Sequence, residues 1–164
     1  MSNRLHLIFR HLAAIISTAV LLACTIACDP STSDRDLVYL DSYKAIDLIN
    51  QAPGAFSSPK KWAFIDPRSR QDYATKHIAG AISLPFEDMT LEAQGLLGSY
   101  DFLIVYDTDY DDIIAKAASK RLLELRFKEV YTLEGGLKAW EKAGNAVQVG
   151  VPADAPELPN KPVI

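Results

Sequence analysis

Short, continuously apolar segments alternate with helix-like segments along the middle of the chain, and this alternation constrains the fold more than any other feature. The strongest apolar segment, residues 102–106, reads FLIVY and is followed at once by Asp107. A strand without polar alternation is typical of one buried on both faces of a parallel sheet. The alternation therefore predicts an α/β domain with a mainly parallel sheet.

The predicted elements follow one another without an internal repeat. Strands are predicted at 37–40, 62–66, 81–84, 102–106 and 129–133, and helices at 41–50, 69–76, 86–97, 112–125 and 137–143. In such sheets, sites form where the carboxyl ends of strands meet helix N-termini. Three junctions of this kind carry polar residues or glycines, at 66–68, 107–112 and 134–136.

Length and charge narrow the function classes. The chain has 164 residues, of which 49% are hydrophobic, and this suits one domain with a real core. Its formal net charge is −4. Proteins that bind nucleic acid usually present a basic face, so the charge predicts no nucleic-acid partner.

The first residues are typical of an export signal. Residues 1–11 contain two arginines and no acid, and an apolar run follows from 12 to 24. This run is shorter than the roughly 20 residues that a membrane-spanning helix needs. It ends in LLAC at Cys24, and TIAC follows at Cys28. Both endings resemble a bacterial lipobox, so lipidation is predicted at Cys24 or Cys28.

The two cysteines are not equivalent as lipidation sites. Leu21 favours Cys24, whereas the polar residues 29–34 favour Cys28. An uncleaved N-terminal anchor, or an ordinary signal peptide cut near Ala27, remains as an alternative. Each version places the domain outside the cytoplasm, and the lipoprotein version ties it to the periplasmic or other extracytoplasmic face of a bacterial membrane.

Four segments result. A signal peptide at 1–23, which could extend to 27, precedes a polar tether at 24–36 and a domain at 37–148. Residues 149–164 contain four prolines and predict an extended tail, because proline resists both helix and sheet.

Two motifs within the domain resemble the signatures of the rhodanese family, the single-domain sulfurtransferases. The first reads FIDPR at 64–68, continues with DY at 72–73, and ends with HIAGAISLP at 77–85; the second reads VYTLEGGLKAW at 130–140. The resemblance covers about residues 37–148. It implies a three-layer sandwich with a central, mostly parallel sheet of about five strands.

Most motif residues have structural interpretations. Asp66 and Arg68 can pair, and in the family such residues brace the fold. His77 lies between a helix and a strand, where a ring N–H can tie a loop. Trp140 suits the core. Turns and close backbone approaches account for the remaining motif residues, Gly80, Gly135 and Gly136.

The resemblance locates the family's chemistry in the loop after the strongest strand. There a cysteine carries the sulfur, and converging backbone N–H groups stabilise its anion. In this chain the loop consists of Asp107, Thr108, Asp109, Tyr110, Asp111 and Asp112. A carboxylate cannot carry persulfide sulfur, and four acids would repel thiosulfate. The sequence therefore predicts no catalytic residue here and no sulfur transfer.

Three other roles for the acidic loop remain open. Asp111 and Asp112 suit helix caps. Asp107, Asp109 and Asp111 alternate as in loops that bind Ca²⁺ or Mg²⁺, although Asp112 and Ala118 depart from the EF-hand pattern. The Asp107-x-Asp109 spacing also resembles the phosphotransferases of the haloacid dehalogenase family, without their following Gly-Thr.

The function that these observations favour is a non-catalytic binding or scaffold module with a lipid anchor and a protein partner. No cofactor is expected apart from the candidate Ca²⁺ or Mg²⁺. The alternatives are residual sulfurtransferase-like activity, phosphotransfer through the acidic loop, and a divalent-cation-binding module.

Overall fold

The computed structural model describes residues 32–54, 57–111 and 113–150. Its helices and strands follow in this order: a 3₁₀ helix Asp34–Asp36, β1 Val38–Leu40, α1 Ser42–Ile49, β2 Trp62–Asp66, α2 Arg70–Thr75, β3 His77–Ile78, β4 Ile82–Ser83, α3 Met89–Leu97, β5 Phe102–Val105, α4 Ile114–Glu124, β6 Val130–Leu133, α5 Gly136–Lys142 and β7 Val147–Gln148. None of the helices in these ranges is long and apolar enough to cross a membrane.

Five strands form one parallel sheet in the order β1-β6-β5-β2-β4. Helices pack on both of its faces, because the side chains of each central strand alternate between them. Leu103 and Val105 of β5 face α3 and α4, whereas Phe102 and Ile104 lie in the cluster that contains α1, α2 and α5. The predicted α/β fold with a sheet of about five parallel strands is confirmed.

The structure corrects three local expectations. The helix predicted from residue 86 begins at Met89, since Asp88 N–H bonds to the carbonyl of Pro85 in a turn. The antiparallel pair of β3 and β7 was not expected as a sheet. Strands of two residues have too few positions to show a hydrophobic period, so only tertiary pairing reveals them.

The third difference concerns the predicted tether. Its last residues, Asp34–Asp36, form the 3₁₀ helix, which Ser33 begins as an N-cap. Lys120 of α4 donates to the Asp34 carboxylate at 2.7 Å, and this hydrogen bond lowers the pKa of Asp34. These residues therefore belong to the folded domain.

A buried carboxylate ties three strands together. Asp66, at the end of β2, accepts Nε of Arg68 at 2.9 Å and Nη2 of Arg68 at 2.6 Å, which is the predicted pair. The hydroxyl of Tyr106 donates to the same carboxylate at 2.6 Å and accepts the N–H of Ile78 in β3 at 3.2 Å. Arg68 also reaches the carbonyl of Lys76 at 2.8 Å.

The next part of the first motif forms a compact turn. The ring of His77 is fully buried, stacks on Tyr73 at 3.8 Å, and places Nδ1 2.8 Å from the Tyr73 carbonyl. Tyr73 in turn donates to the carbonyl of Ala81 at 2.7 Å. Gly80 between them has φ +75°, a conformation that suits glycine. These contacts hold the His77 ring at the junction of α2 and β3 through Nδ1, whereas its buried Nε2 has no hydrogen-bond partner among the described residues.

We expect Tyr106→Phe to lower the free energy of unfolding by about 1.5–3 kcal/mol, because it removes a hydrogen bond to a charged group and leaves the buried N–H of Ile78 without its acceptor. Urea denaturation near neutral pH measures this loss. Tyr43→Phe is the matched control, since Tyr43 is 74% exposed.

The same variant has a distinct pH dependence. Burial, and then the negative charge of Asp66, raise the pKa of Tyr106 far above its usual value, which is about 10. Its contribution is therefore present below about pH 10 and is lost as the pH rises further, since the unfolded tyrosine ionises first. The difference between the wild-type protein and Tyr106→Phe should shrink above that pH. A difference that stays constant would contradict this account.

Candidate functional site

A cavity of about 220 Å³ opens at the carboxyl ends of β1, β5 and β6. It lies beside the acidic loop, at the edge of the sheet where the sequence predicts a site. The residues that line it are Tyr39, Asp107, Asp109, Tyr110, Ala115, Lys116, Thr132, Leu133, Glu134 and Gly135.

Asp107 is the buried acid of this site. The whole residue, side chain and backbone together, is only 4% exposed. The carboxylate accepts the N–H of Thr108 at 2.8 Å and the N–H of Ala115, in the first turn of α4, at 2.9 Å. The N-terminus of a helix carries partial positive charge, so it stabilises an anion at this position.

The N-cap position of α4 is Ile113, whose side chain forms no capping bond, so Asp107 supplies the side-chain acceptor for the first turn of the helix. Helix capping by Asp111 and Asp112 was one of the three roles that the sequence left open. Asp111 does not cap α4, since it is exposed and only its backbone N–H bonds within the loop. Asp112 lies outside the described residues. The reason is geometric. Asp107 is buried just beyond the end of a buried strand, and from there its carboxylate accepts the N–H of Ala115 at the start of α4.

The backbone of the loop also supports α5. The carbonyl of Asp107 accepts the N–H of Leu137 at 2.7 Å, and the carbonyl of Thr108 accepts the N–H of Lys138 at 3.0 Å. A Cβ on Gly136 would overlap the Asp107 carbonyl, and Gly136 has φ +55°. The close approach that was predicted for this glycine is therefore one between α5 and the acidic loop.

Gly135 makes room for an aromatic side chain. It has φ +72°, and a Cβ there would lie 2.5 Å from the ring of Tyr110. The ring of Tyr110 thus covers the turn that starts α5 while remaining 69% exposed. Tyr110 of the acidic loop and Gly135 of the second motif, 25 positions apart in the sequence, are therefore packed together.

Asp109 is neutralised within the chain. Its carboxylate accepts Nζ of Lys138 at 2.6 Å and the N–H of Asp111 at 3.0 Å. Within residues 32–54, 57–111 and 113–150, no three His, Cys, Asp or Glu side chains come together as metal ligands. The divalent-cation site at Asp107, Asp109 and Asp111 stays a prediction, and the donors on Asp107 and Asp109 do not favour it.

A model described as a rhodanese-like domain matches residues 54–143, more than half of the chain. The chain belongs to the rhodanese-like family. Among curated proteins, an uncharacterized protein of Buchnera aphidicola subsp. Schizaphis graminum is 29% identical over 105 residues, which are 62% of this chain and 63% of that protein. The chain thus spans less than two thirds of that relative's length.

Solved structures share the fold of this rhodanese-like chain. A thiosulfate sulfurtransferase from Pseudomonas aeruginosa is 24% identical, with a TM-score of 0.58, over 70% of this chain and 20% of that one. A rhodanese-like domain from an Anabaena protein is 23% identical, with a TM-score of 0.55, over 77% of this chain and 89% of that one. At these identities the likeness concerns the fold alone.

Sequence reasoning did not name Tyr39 or Lys116 as site residues, whereas Glu134 belongs to the junction at 134–136 that it singled out. Tyr39 lies in β1, Lys116 in the first turn of α4, and Glu134 directly after β6. Their positions at strand ends and at a helix start are the signal that could have found them, because those ends meet at one edge of a parallel sheet. Cys24 and Cys28 lie outside the described residues.

We expect Asp107→Ala to lower the free energy of unfolding by about 1–3 kcal/mol, because it leaves the backbone N–H of Ala115 without its charged acceptor. Asp107→Asn should cost less, since its amide oxygen can still accept one of the two N–H groups. Urea denaturation measures both. Asp111→Ala, an exposed position in the same loop, is the control and should leave stability unchanged. Equal losses for Asp107→Ala and Asp111→Ala would contradict this role of Asp107.

Proposed function

We propose that this chain is a rhodanese-like binding or scaffold module that does not transfer sulfur. It acts outside the cytoplasm, held at the face of a bacterial membrane by a lipid on Cys24 or Cys28, and it recognises a partner with its domain. The single observation that carries the first part is the side chain of Asp107, two residues after β5.

Asp107 stands where the family resemblance expects the sulfur-carrying cysteine. Sulfur transfer requires a thiolate at that position, because the sulfur travels as a persulfide on it. A carboxylate offers no such chemistry. The backbone N–H groups of Thr108 and Ala115, which could stabilise an anion on a substrate or a persulfide, are already used by the Asp107 carboxylate.

The phosphotransfer alternative has less support. A nucleophilic aspartate needs an oxygen that can attack phosphorus, yet both oxygens of Asp107 accept backbone hydrogen bonds in a buried position. Asp109, the second acid of that pattern, is paired with Lys138. These contacts favour a structural role for the Asp107 carboxylate, which stabilises the loop, over a role as the nucleophile of phosphotransfer.

We expect the full-length chain to release no thiocyanate from thiosulfate and cyanide above the buffer rate, since its domain contains no thiol. An active thiosulfate sulfurtransferase assayed in parallel is the positive control. Cys24→Ser and Cys28→Ser should change nothing. Turnover that disappears in either serine variant would show that an N-terminal thiol carries sulfur, and turnover that survives in both would overturn the proposal more generally.

The anchoring part rests on the sequence of the first 36 residues. Basic residues, an apolar run and a small residue before each cysteine follow in the order of a lipoprotein signal. A polar stretch then separates the cysteines from the 3₁₀ helix at Asp34–Asp36. This order supports a lipid-tethered domain.

Metabolic labelling with a fatty-acid analogue in a bacterial host tests the anchor. We expect a labelled membrane-bound protein, and we expect Cys24→Ser to abolish the label while Cys28→Ser retains it, because Leu21 precedes Cys24 at the favoured distance. Loss in Cys28→Ser alone would move the lipid to Cys28. A protein that carries no label in either variant or in the wild type would remove the anchor from the proposal.

A further inference from the structure

Two oppositely charged side chains, those of Lys116 and Glu134, line the cavity without forming a salt bridge with each other. Among the described residues neither side chain forms a hydrogen bond or salt bridge, although the charge of Lys116 acts at longer range on Asp34 and helps to lower the pKa of that carboxyl. The other charged residues of the wall differ in this respect. Asp107 is held by two backbone N–H groups, and Asp109 is held by Lys138. The cavity thus offers one cation and one anion to a ligand.

The charges exclude the simplest ligand classes. A purely anionic ligand that approached Lys116 would also face Glu134, and a purely cationic ligand that approached Glu134 would also face Lys116. Like charges at close range raise the free energy of the complex. A ligand that carries both charges can satisfy both side chains at once.

The size and walls of the cavity restrict the ligand further. Its volume of about 220 Å³ is below the roughly 300–1,000 Å³ of sites for drug-sized molecules. Tyr39 and Tyr110 give it aromatic walls, and Leu133 adds an apolar surface. A molecule of the size of one amino acid, with charged ends and an apolar part, suits these dimensions.

We propose that the cavity binds a small zwitterion of the size of one free amino acid. Lys116 holds its carboxylate, Glu134 holds its ammonium group, and the tyrosine rings contact its side chain. This inference rests on the proposed function, since a site that transferred sulfur would have to admit thiosulfate.

Titration calorimetry of the full-length protein with each standard amino acid tests the inference. We expect at least one of them to bind. Its N-acetylated form, which keeps only the negative charge, and its methyl ester, which keeps only the positive charge, should each bind at least about tenfold more weakly, as expected when a charged hydrogen bond is lost.

Variants assign the binding to this cavity. Lys116→Met and Glu134→Gln should each weaken the binding by about tenfold or more. Lys142→Met and Glu87→Gln remove the same charges at exposed positions outside the cavity and should leave it unchanged.

Three results would overturn the inference: no binding of any standard amino acid at millimolar concentration, equal binding of the blocked forms, or binding that both cavity variants leave unchanged. The proposed function stands or falls separately, on the sulfur-transfer assay. If the protein neither transfers sulfur nor binds amino acids, only the proposal of zwitterion binding is refuted.

Discussion

The arrangement of the strands depends on the hydrogen bonds that the carboxylate of Asp66 accepts. This carboxylate is fully buried at the end of β2, and a buried charge is tolerated only when strong donors surround it. Arg68 supplies a two-pronged pair, and Tyr106 adds a short hydrogen bond from the residue that follows β5. Because Tyr106 also accepts the N–H of Ile78, one acidic group fixes β2, β5 and β3 relative to one another.

A second buried carboxylate repeats this arrangement one residue beyond Tyr106. Asp107 is stabilised by backbone N–H groups instead of an arginine, so its donors belong to the loop and to α4. The carbonyls of the same loop bind the start of α5. The loop in which the family resemblance expects the chemistry therefore joins two helices to the sheet in this chain.

The cavity follows from these two anchors. Since β1, β5 and β6 are parallel, their carboxyl ends lie at one edge, and the helices that start there leave a recess between them. Its walls combine residues from the first strand, the acidic loop, α4 and the second motif. The acids of the described loop that reach the wall already have donors within the chain, since Asp107 accepts backbone N–H groups and Asp109 pairs with Lys138. The charged side chains of the wall without such partners are Lys116 and Glu134.

The sequence by itself determined the α/β class, the approximate strands and helices, the pairing of Asp66 with Arg68, and the absence of a thiol from the domain. These depend on hydrophobic period, on neighbours two residues apart, or on composition, all of which are local. Tertiary structure alone decided that Asp107 and not Asp111 supplies the acceptor for the first turn of α4, that β3 pairs with β7, and that Tyr39, Lys116 and Glu134 share one cavity. Each of these depends on which groups meet across distant parts of the chain, where hydrogen-bond geometry and packing select partners that no local pattern specifies.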